Sequence, residues 1–340
     1  MKNWLVSIGI LAFVFLVFAY IVFSKSSLVR VDSTLMDSLE KQRMVSEEAT
    51  GSSATATLLF VGDIMLSRGV EYVAPKYADK LFPFQLIAST TQDADLTIGN
   101  LETPVTSKGP YMVPYSLVFN SNPKYIERLR RAGFDILSSA NNHSLDKGEK
   151  GLRETVRYID DGEMASLGAG ENCHKGIAKD INGITFGFLA YSYTAYNSGG
   201  HVPSELVCDW NDFEKVRSDV KNLKTQVDHV VVLSHTGIEY STNPTETDRE
   251  KMHQLIDLGA SAVVGAHPHV VQEVEKYKSG VIAYSLGNFV FDNQENPETE
   301  KGLMVKLEFN KTDLKNSQKL PIKIKNYCCP ELAPYATIKE

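Results

Sequence analysis

Asp63, Glu102, Asn142, His143, Asp146, His235, His267 and His269 are carboxylates, an amide and imidazoles, the side chains that bind divalent cations and move protons. His267 and His269 flank Pro268 directly after Val263-Val264-Gly265-Ala266. In an extended segment residues i and i+2 point the same way, so both imidazoles can face one ion or two adjacent ions. The alternative is a pair of surface histidines in a loop. His143 and Asp146 are close enough in sequence for Asp146 to orient and charge His143 as a general acid that protonates a leaving oxygen. Asp146 can equally be a turn or cap residue ahead of the following helix. A mixed oxygen and nitrogen ligand set suits Mn²⁺, Zn²⁺ or Fe better than Ca²⁺ or an iron–sulfur cluster. Two such ions roughly 3.5–4 Å apart can hold a phosphate or carboxylate between them and acidify a bridging water.

Each of these groups follows an apolar, strand-like run. The runs 57–61, 96–98, 134–138, 229–233 and 262–264 lead into Asp63, Asn100 with Glu102, Asn142-His143, His235 and the two-histidine stretch. Loops at the carboxyl ends of strands are where layered α/β proteins gather their sites. Helical periodicity is expected over 83–90, 123–132, 151–161, 211–226 and 245–258, with further strands near 115–119, 281–285, 303–309 and 319–324. Asn182-Gly183 signals a hairpin. This recurrence predicts an α/β layered fold, one domain over 55–328 followed by a tail at 329–340.

The chain has 340 residues, 43% of them hydrophobic and 23% charged, with a formal charge of −7 and no basic block, which excludes a general nucleic-acid binder. Residues 5–23 carry no charge. At ~1.5 Å per residue such a helix nearly matches a hydrocarbon core of roughly 30 Å. Behind the short cytoplasmic stretch 1–4 it reads as a transmembrane signal anchor, with 24–54 as a stalk and a short helix near 34–46. A cleaved signal peptide is the rival, but the apolar run is long for one and no clear small-x-small cleavage site follows it. Lys2, Lys25 and Arg30 flank the run on both sides, so charge does not fix its orientation. Of the four cysteines, Cys173 and Cys208 are candidates for a disulfide in an exported domain or for free thiols, and Cys328-Cys329 are adjacent.

The segments Gly62-Asp63-Ile64-Met65, Gly99-Asn100-Leu101-Glu102, Ala140-Asn141-Asn142-His143 with Asp146 and Gly148, Ser234-His235-Thr236-Gly237-Ile238-Glu239-Tyr240, His267-Pro268-His269-Val270 and Tyr284-Ser285-Leu286-Gly287-Asn288-Phe289-Val290-Phe291-Asp292 together resemble the CapA family. These are capsule or poly-γ-glutamate biosynthesis proteins, similar in fold to calcineurin-like metallophosphoesterases. The resemblance spans roughly residues 55–310. It implies a metallophosphatase-like β-sandwich flanked by helices. It also implies Asp63 and His269 on a first metal, Asn142, His235 and His267 on a second, and His143 as catalytic acid. Two positions depart from the metallophosphoesterase pattern, Met65 where a histidine is usual and Asn100 where a bridging aspartate is usual. One ion or two is therefore left open. Glu102 shares a strand face with Asn100 and has the longer reach; Met65 suits core packing better than ligation.

Around this set, Arg68 is either a clamp for an anionic substrate or a solvated helix residue. Glu239 is placed to orient His235 or His143. Asn288 faces the cleft or caps a turn, and Tyr111, Tyr115 and Tyr193 border the mouth. The resemblance and the anchor imply a membrane-anchored extracellular protein that helps make or export a capsule polymer, poly-γ-glutamate, with the anionic polymer and a membrane synthase complex as partners. A metal-dependent hydrolase acting on an extracellular or cell-wall phosphate ester is the alternative, and a non-catalytic scaffold of a synthase complex is a third.

Overall fold

The computed structural model describes residues 54–334 apart from 78, 114–115, 194–203, 293–294 and 327. The expected anchor and nearly all of the stalk lie outside the described residues, as does Tyr115. Among the described residues no helix is long and apolar enough to cross a membrane. The compact unit begins at Ala54.

In chain order come β1 (Ala56–Ile64), α1 (Arg68–Val73), α2 (Ala88–Thr91), β2 (Leu96–Leu101), α3 (Lys124–Arg131), β3 (Ile136–Ser138), α4 (Gly148–Asp161), β4 (Ala165–Leu167), and the hairpin of β5 (Ile177–Ile181) with β6 (Ile184–Ser192). Then follow α5 (Phe213–Lys224), β7 (His229–His235), α6 (Glu246–Asp257), β8 (Ala260–Ala266), β9 (Val274–Tyr277), β10 (Gly280–Ala283), β11 (Asn288–Val290), β12 (Lys301–Phe309), β13 (Leu314–Lys325) and β14 (Cys329–Leu332).

The strands form two sheets, in the orders β14-β13-β12-β1-β2-β3-β4, with β11 beside β1, and β5-β6-β7-β8-β10-β9. The alternation along the strands explains why two sheets stack. Leu58 and Phe60 of β1 meet Phe186, Phe188, Val231 and Val264 between the sheets. Leu59 and Val61 point the other way, onto Phe84, Tyr125 and Leu129. On the far side, Val230 and Val232 of β7 pack with Val216, Val220 and Leu255 from α5 and α6. Strands covered on both faces read as unbroken apolar runs, which is how they stand in the sequence. β1–β4 run parallel, as do β6, β7 and β8. Apolar burial on this scale, at ~25 cal/mol per Å², is what holds both sets of strand ends in register at one rim.

Three expectations need correction. The helix expected over 83–90 shrinks to Ala88–Thr91. Phe82, Phe84 and Ile87 are buried, but by successive turns such as Phe84 N to Leu81 O at 2.7 Å and Ile87 N to Phe84 O at 3.0 Å. No strand forms over 116–119. There Val118 N donates to Ser116 Oγ at 3.0 Å and Phe119 N to Asp146 Oδ2 at 2.6 Å, so side chains take the bonds a ladder would need. The domain does not stop at 328, because β14 pairs with β13 through Leu332. Cys173 and Cys208 form a disulfide with Cα atoms 5.7 Å apart, and Cys328 and Cys329 are buried free thiols.

Candidate metal centre

The rim is shaped by two close approaches that only glycine permits. A Cβ on Gly62 would lie 1.8 Å from the Gly287 carbonyl oxygen, and one on Gly265 would lie 2.0 Å from that of Tyr284. These contacts bring the end of β1 beside β11 and the end of β8 beside the 284–288 turn. Asp63 closes this corner, its N–H donating to Gly287 O at 3.0 Å, where the β1 register slips.

The strand ends deliver their side chains to one buried place. Asn100 Nδ2 donates to Asp63 Oδ1 at 2.7 Å and lies 3.1 Å from His235 Nδ1. His235 Nε2 lies 2.9 Å from Asn142 Oδ1 and 3.2 Å from His267 Nδ1. His269 Nδ1 faces Asp63 Oδ2 at 3.3 Å and Asn288 Oδ1 at 3.0 Å. Thus Asp63 stands with His269, and Asn142 with His235 and His267, the two groups the resemblance implies. The Nε2 atoms of His143, His235 and His269 stand 3.8, 3.8 and 3.7 Å from one oxygen, Glu102 Oε1.

The two-histidine stretch arrives differently from expected. It is a bend rather than an extended segment, and His267 and His269 adopt φ of 101° and 59°. Left-handed backbone at a non-glycine residue is strained, and such strain gathers at functional sites. The rings still converge, with centroids 6.1 Å apart.

Glu102 is the feature that asks for a cation. Both carboxylate oxygens are buried without a hydrogen-bond partner among the described residues. Burial and the neighbouring Asp63 charge push its carboxyl well above the usual range. Burial alone would also raise Asp63, but the hydrogen bond from His269 and the charges of His269 and His235 bring it down to about 2. His235 is held well below the ordinary imidazole range by burial and the adjacent His267. His267 is lowered to about 4 by burial and His269. Burial opposes protonation of His269, but its bond to Asp63 outweighs this and raises it. Lowering favours the neutral, metal-competent form of His235 and His267, and a divalent ion would supply the partner that Glu102 lacks among the described residues. Asp63, Glu102 and His235 offer ligand atoms all within 4.8 Å of one another. The donor set therefore fits a transition-type divalent cation.

His143 and Asp146 also meet, with His143 Nδ1 2.8 Å from Asp146 Oδ2. The same oxygen accepts from Phe119 N, and Lys147, not Asp146, occupies the cap of α4. Asp146 thus hydrogen-bonds the His143 ring rather than capping the helix. Met65 is buried in the core, its sulfur accepting from Ser67 N at 3.1 Å. Glu239 is exposed and hydrogen-bonds to neither histidine, correcting the orienting role expected of it. Arg68 does not stand in solvent, and its guanidinium is held by protein acceptors. Its Nε donates to Asp292 Oδ2 at 3.0 Å and its Nη1 to Ser116 O at 3.3 Å. Tyr111 accepts the Arg68 N–H through its carbonyl at 3.1 Å, and Tyr193 N donates to His235 O at 2.9 Å.

The sequence does not single out Asn141 and Phe119, while Asn288, expected to face the cleft or cap a turn, does face it. Asn141 ties the loop down, donating to Asn100 Oδ1 at 3.2 Å and Leu101 O at 2.9 Å. Asn288 holds His269 and donates to Thr299 O at 3.1 Å. Phe119 stacks on His143 with ring centroids 3.9 Å apart. Asn141 and Asn288 stand inside the motifs quoted above, but nothing local distinguishes a loop asparagine that holds a ligand from one that caps a turn.

Two sheets, helices on both outer faces and a carboxylate–imidazole site at the strand ends define a calcineurin-like phosphoesterase architecture. The calcineurin-like phosphoesterase YfkN of Bacillus subtilis superposes with a TM-score of 0.50 at 12% identity, over 79% of this chain and 91% of that one. The NAD nucleotidase of Haemophilus influenzae gives 0.51 at 9% identity, over 83% and 60%. Within that architecture, residues 57–293 match the bacterial capsule synthesis protein family PGA_cap, and the chain belongs to that family. It is 34% identical over 284 residues to the PGA biosynthesis protein CapA of Bacillus subtilis, covering 81% of this chain and 73% of that protein. It is 32% identical over 247 residues to the capsule biosynthesis protein CapA of Bacillus anthracis, covering 69% of this chain and 60% of that protein.

Proposed function

We propose that this chain is a membrane-anchored, extracellular CapA-type protein that takes part in making or exporting a capsule polymer, poly-γ-glutamate, through a divalent-metal site. Membership of the capsule synthesis family supports the pathway. The uncharged run 5–23 ahead of the domain supports the anchor. The observation that carries the metal is Glu102, buried with neither carboxylate oxygen hydrogen-bonded among the described residues, beside three imidazole nitrogens. Asp63, Glu102, His235 and His269 would hold the ion, with Asn142 and His267 beside them. A divalent cation there supplies Lewis-acid charge to an oxygen of a bound carboxylate or phosphate.

The chain's own residues do the rest. Asp146 takes the Nδ1 proton of His143 in a hydrogen bond and so turns Nε2 toward the acid-rich centre. Asn288 Oδ1 accepts from His269 Nδ1 and so fixes that ring; Asn100 Nδ2 lies against His235 Nδ1 as a donor. The same His143–Asp146 pair favours the second reading, a hydrolase of an extracellular or cell-wall phosphate ester, in which His143 Nε2 protonates the leaving oxygen.

The test is metal content and turnover of the full chain purified in detergent. Wild type should bind Mn²⁺ and Glu102→Gln should not; equal Mn²⁺ in both would remove the metal site. Generic phosphodiester turnover that disappears in His143→Ala with Mn²⁺ retained selects the hydrolase reading. A reporter active only outside the cytoplasm, fused after residue 54, should give signal; silence would overturn the location.

A further inference from the structure

We infer that Arg68, through Phe119, is the positioning residue that fixes the His143 ring, an inference that rests on reading His143 as the working acid of this site. The guanidinium of Arg68 is held on three acceptor atoms, both carboxylate oxygens of Asp292 and the Ser116 carbonyl. Asp292 also accepts from Gly69 N at 3.0 Å. A bidentate arginine–carboxylate pair sets the plane of the guanidinium as well as its place. That plane lies over Phe119 at 4.8 Å and Phe291 at 5.6 Å. Phe119 in turn lies almost flat on His143, 21° from parallel at 3.9 Å. Phe291 meets His269 edge-on at 4.9 Å.

The cation thus ends a stack whose other end is the imidazole. The backbone of Phe119 completes the arrangement, because its N–H shares Asp146 Oδ2 with His143 Nδ1. The ring has an anchored face and an anchored edge, leaving Nε2 aimed at Glu102 Oε1 3.8 Å away. Arg68 does this from a strained backbone, with φ of 48°, a conformation that β-branched and bulky residues rarely hold. An arginine serving only to solvate a helix start has no need of it.

The test reads the ring itself, independently of turnover. Full chain labelled at histidine Cε1 is placed in detergent, and the His143 resonance is identified by its loss in His143→Gln. In wild type it should be displaced upfield by the stacked Phe119. Phe119→Leu should move it back downfield, and Arg68→Met should move it the same way. The His269 signal should shift with Arg68→Met through Phe291, while the distant His229 signal stays. A His143 signal unchanged in folded Arg68→Met overturns the inference. If Arg68→Met does not fold, Asp292→Asn decides, since it keeps the arginine but loosens it; an unmoved His143 signal there overturns the inference equally. Where wild type shows phosphodiester turnover, Arg68→Met should lower kcat on the order of 10- to 100-fold with KM held. Absence of turnover in wild type would sink the hydrolase reading alone, with the resonances still deciding the positioning role.

Discussion

Strand β7 begins with one buried histidine and ends with another, and the two have opposite surroundings. His229 is satisfied at both nitrogens by ordinary partners, Nδ1 with Ser261 Oγ at 2.9 Å and Nε2 with the Asn310 carbonyl at 2.7 Å. It packs on Phe186 and Phe309. His235, six residues on, is surrounded by Asn100, Asn142, His267 and the unpaired Glu102 carboxylate. Burial of a histidine therefore carries no functional information by itself. What separates the two is whether the neighbouring acceptors are already served. At the His229 end every lone pair has its donor; at the His235 end a carboxylate waits for one.

The contrast can be broken at either end, beginning with the largest effect. His235→Ala should lower Mn²⁺ affinity by more than the roughly 100-fold that loss of an outer partner costs, while His229→Ala leaves it unchanged, both read by calorimetry. Equal losses would dissolve the distinction. Next, Mn²⁺ at a hundredfold excess over its Kd should stabilise the folded chain by about 2.7 kcal/mol in urea melts, and Glu102→Gln should abolish that gain. His229→Ala should cost about 2 kcal/mol of stability by stranding the Asn310 carbonyl and opening a gap against two phenylalanines, with metal-linked stabilisation intact.

The smallest effect is in pH. Burial holds His229 below the ordinary histidine value despite its bond to Asn310. The unfolded chain takes up that proton near pH ~6.5 and the folded one resists it. Stability is therefore full above that pH and falls as pH drops through it. His235 and His267, also held low by burial, add to the same slope in chelated protein. His229→Gln should flatten the slope in part, while Mn²⁺, which competes with protons for His235 and His267, should leave it at least as steep; a slope that His229→Gln leaves unchanged would contradict the assignment.

The strand ends were legible because strands covered on both faces are apolar throughout, so the first polar residue after each run stands out. Asp63 and His267 emerge by that rule, while Glu102, His143 and His235 stand a little further on, behind Asn100, Ser139 and Ser234. The expected strand failed where side chains supplied the hydrogen bonds, as Asp146 and Ser116 do for residues 118–119, and the helix over 83–90 gave way to backbone turns. The left-handed turn at His267 and His269 was hidden for a related reason, since its shape is imposed by the backbone of residues 284–288 pressing on Gly265 and Gly62. Arg68 illustrates the limit most clearly. Its partner Asp292 is 224 residues away, and no local pattern announces the pair.

His267 N reaches Asp63 Oδ2 across 204 residues, while Glu102 follows β2, His143 follows β3 and His235 ends β7, strands of two different sheets. Contacts so distant in sequence form late, because the loop-closure entropy must be met before they contribute. No short stretch of this chain holds enough of the ligands to capture an ion early. A divalent ion bound at the proposed site would thus act as a proofreader of completed topology, rewarding only chains in which both sheets have found each other.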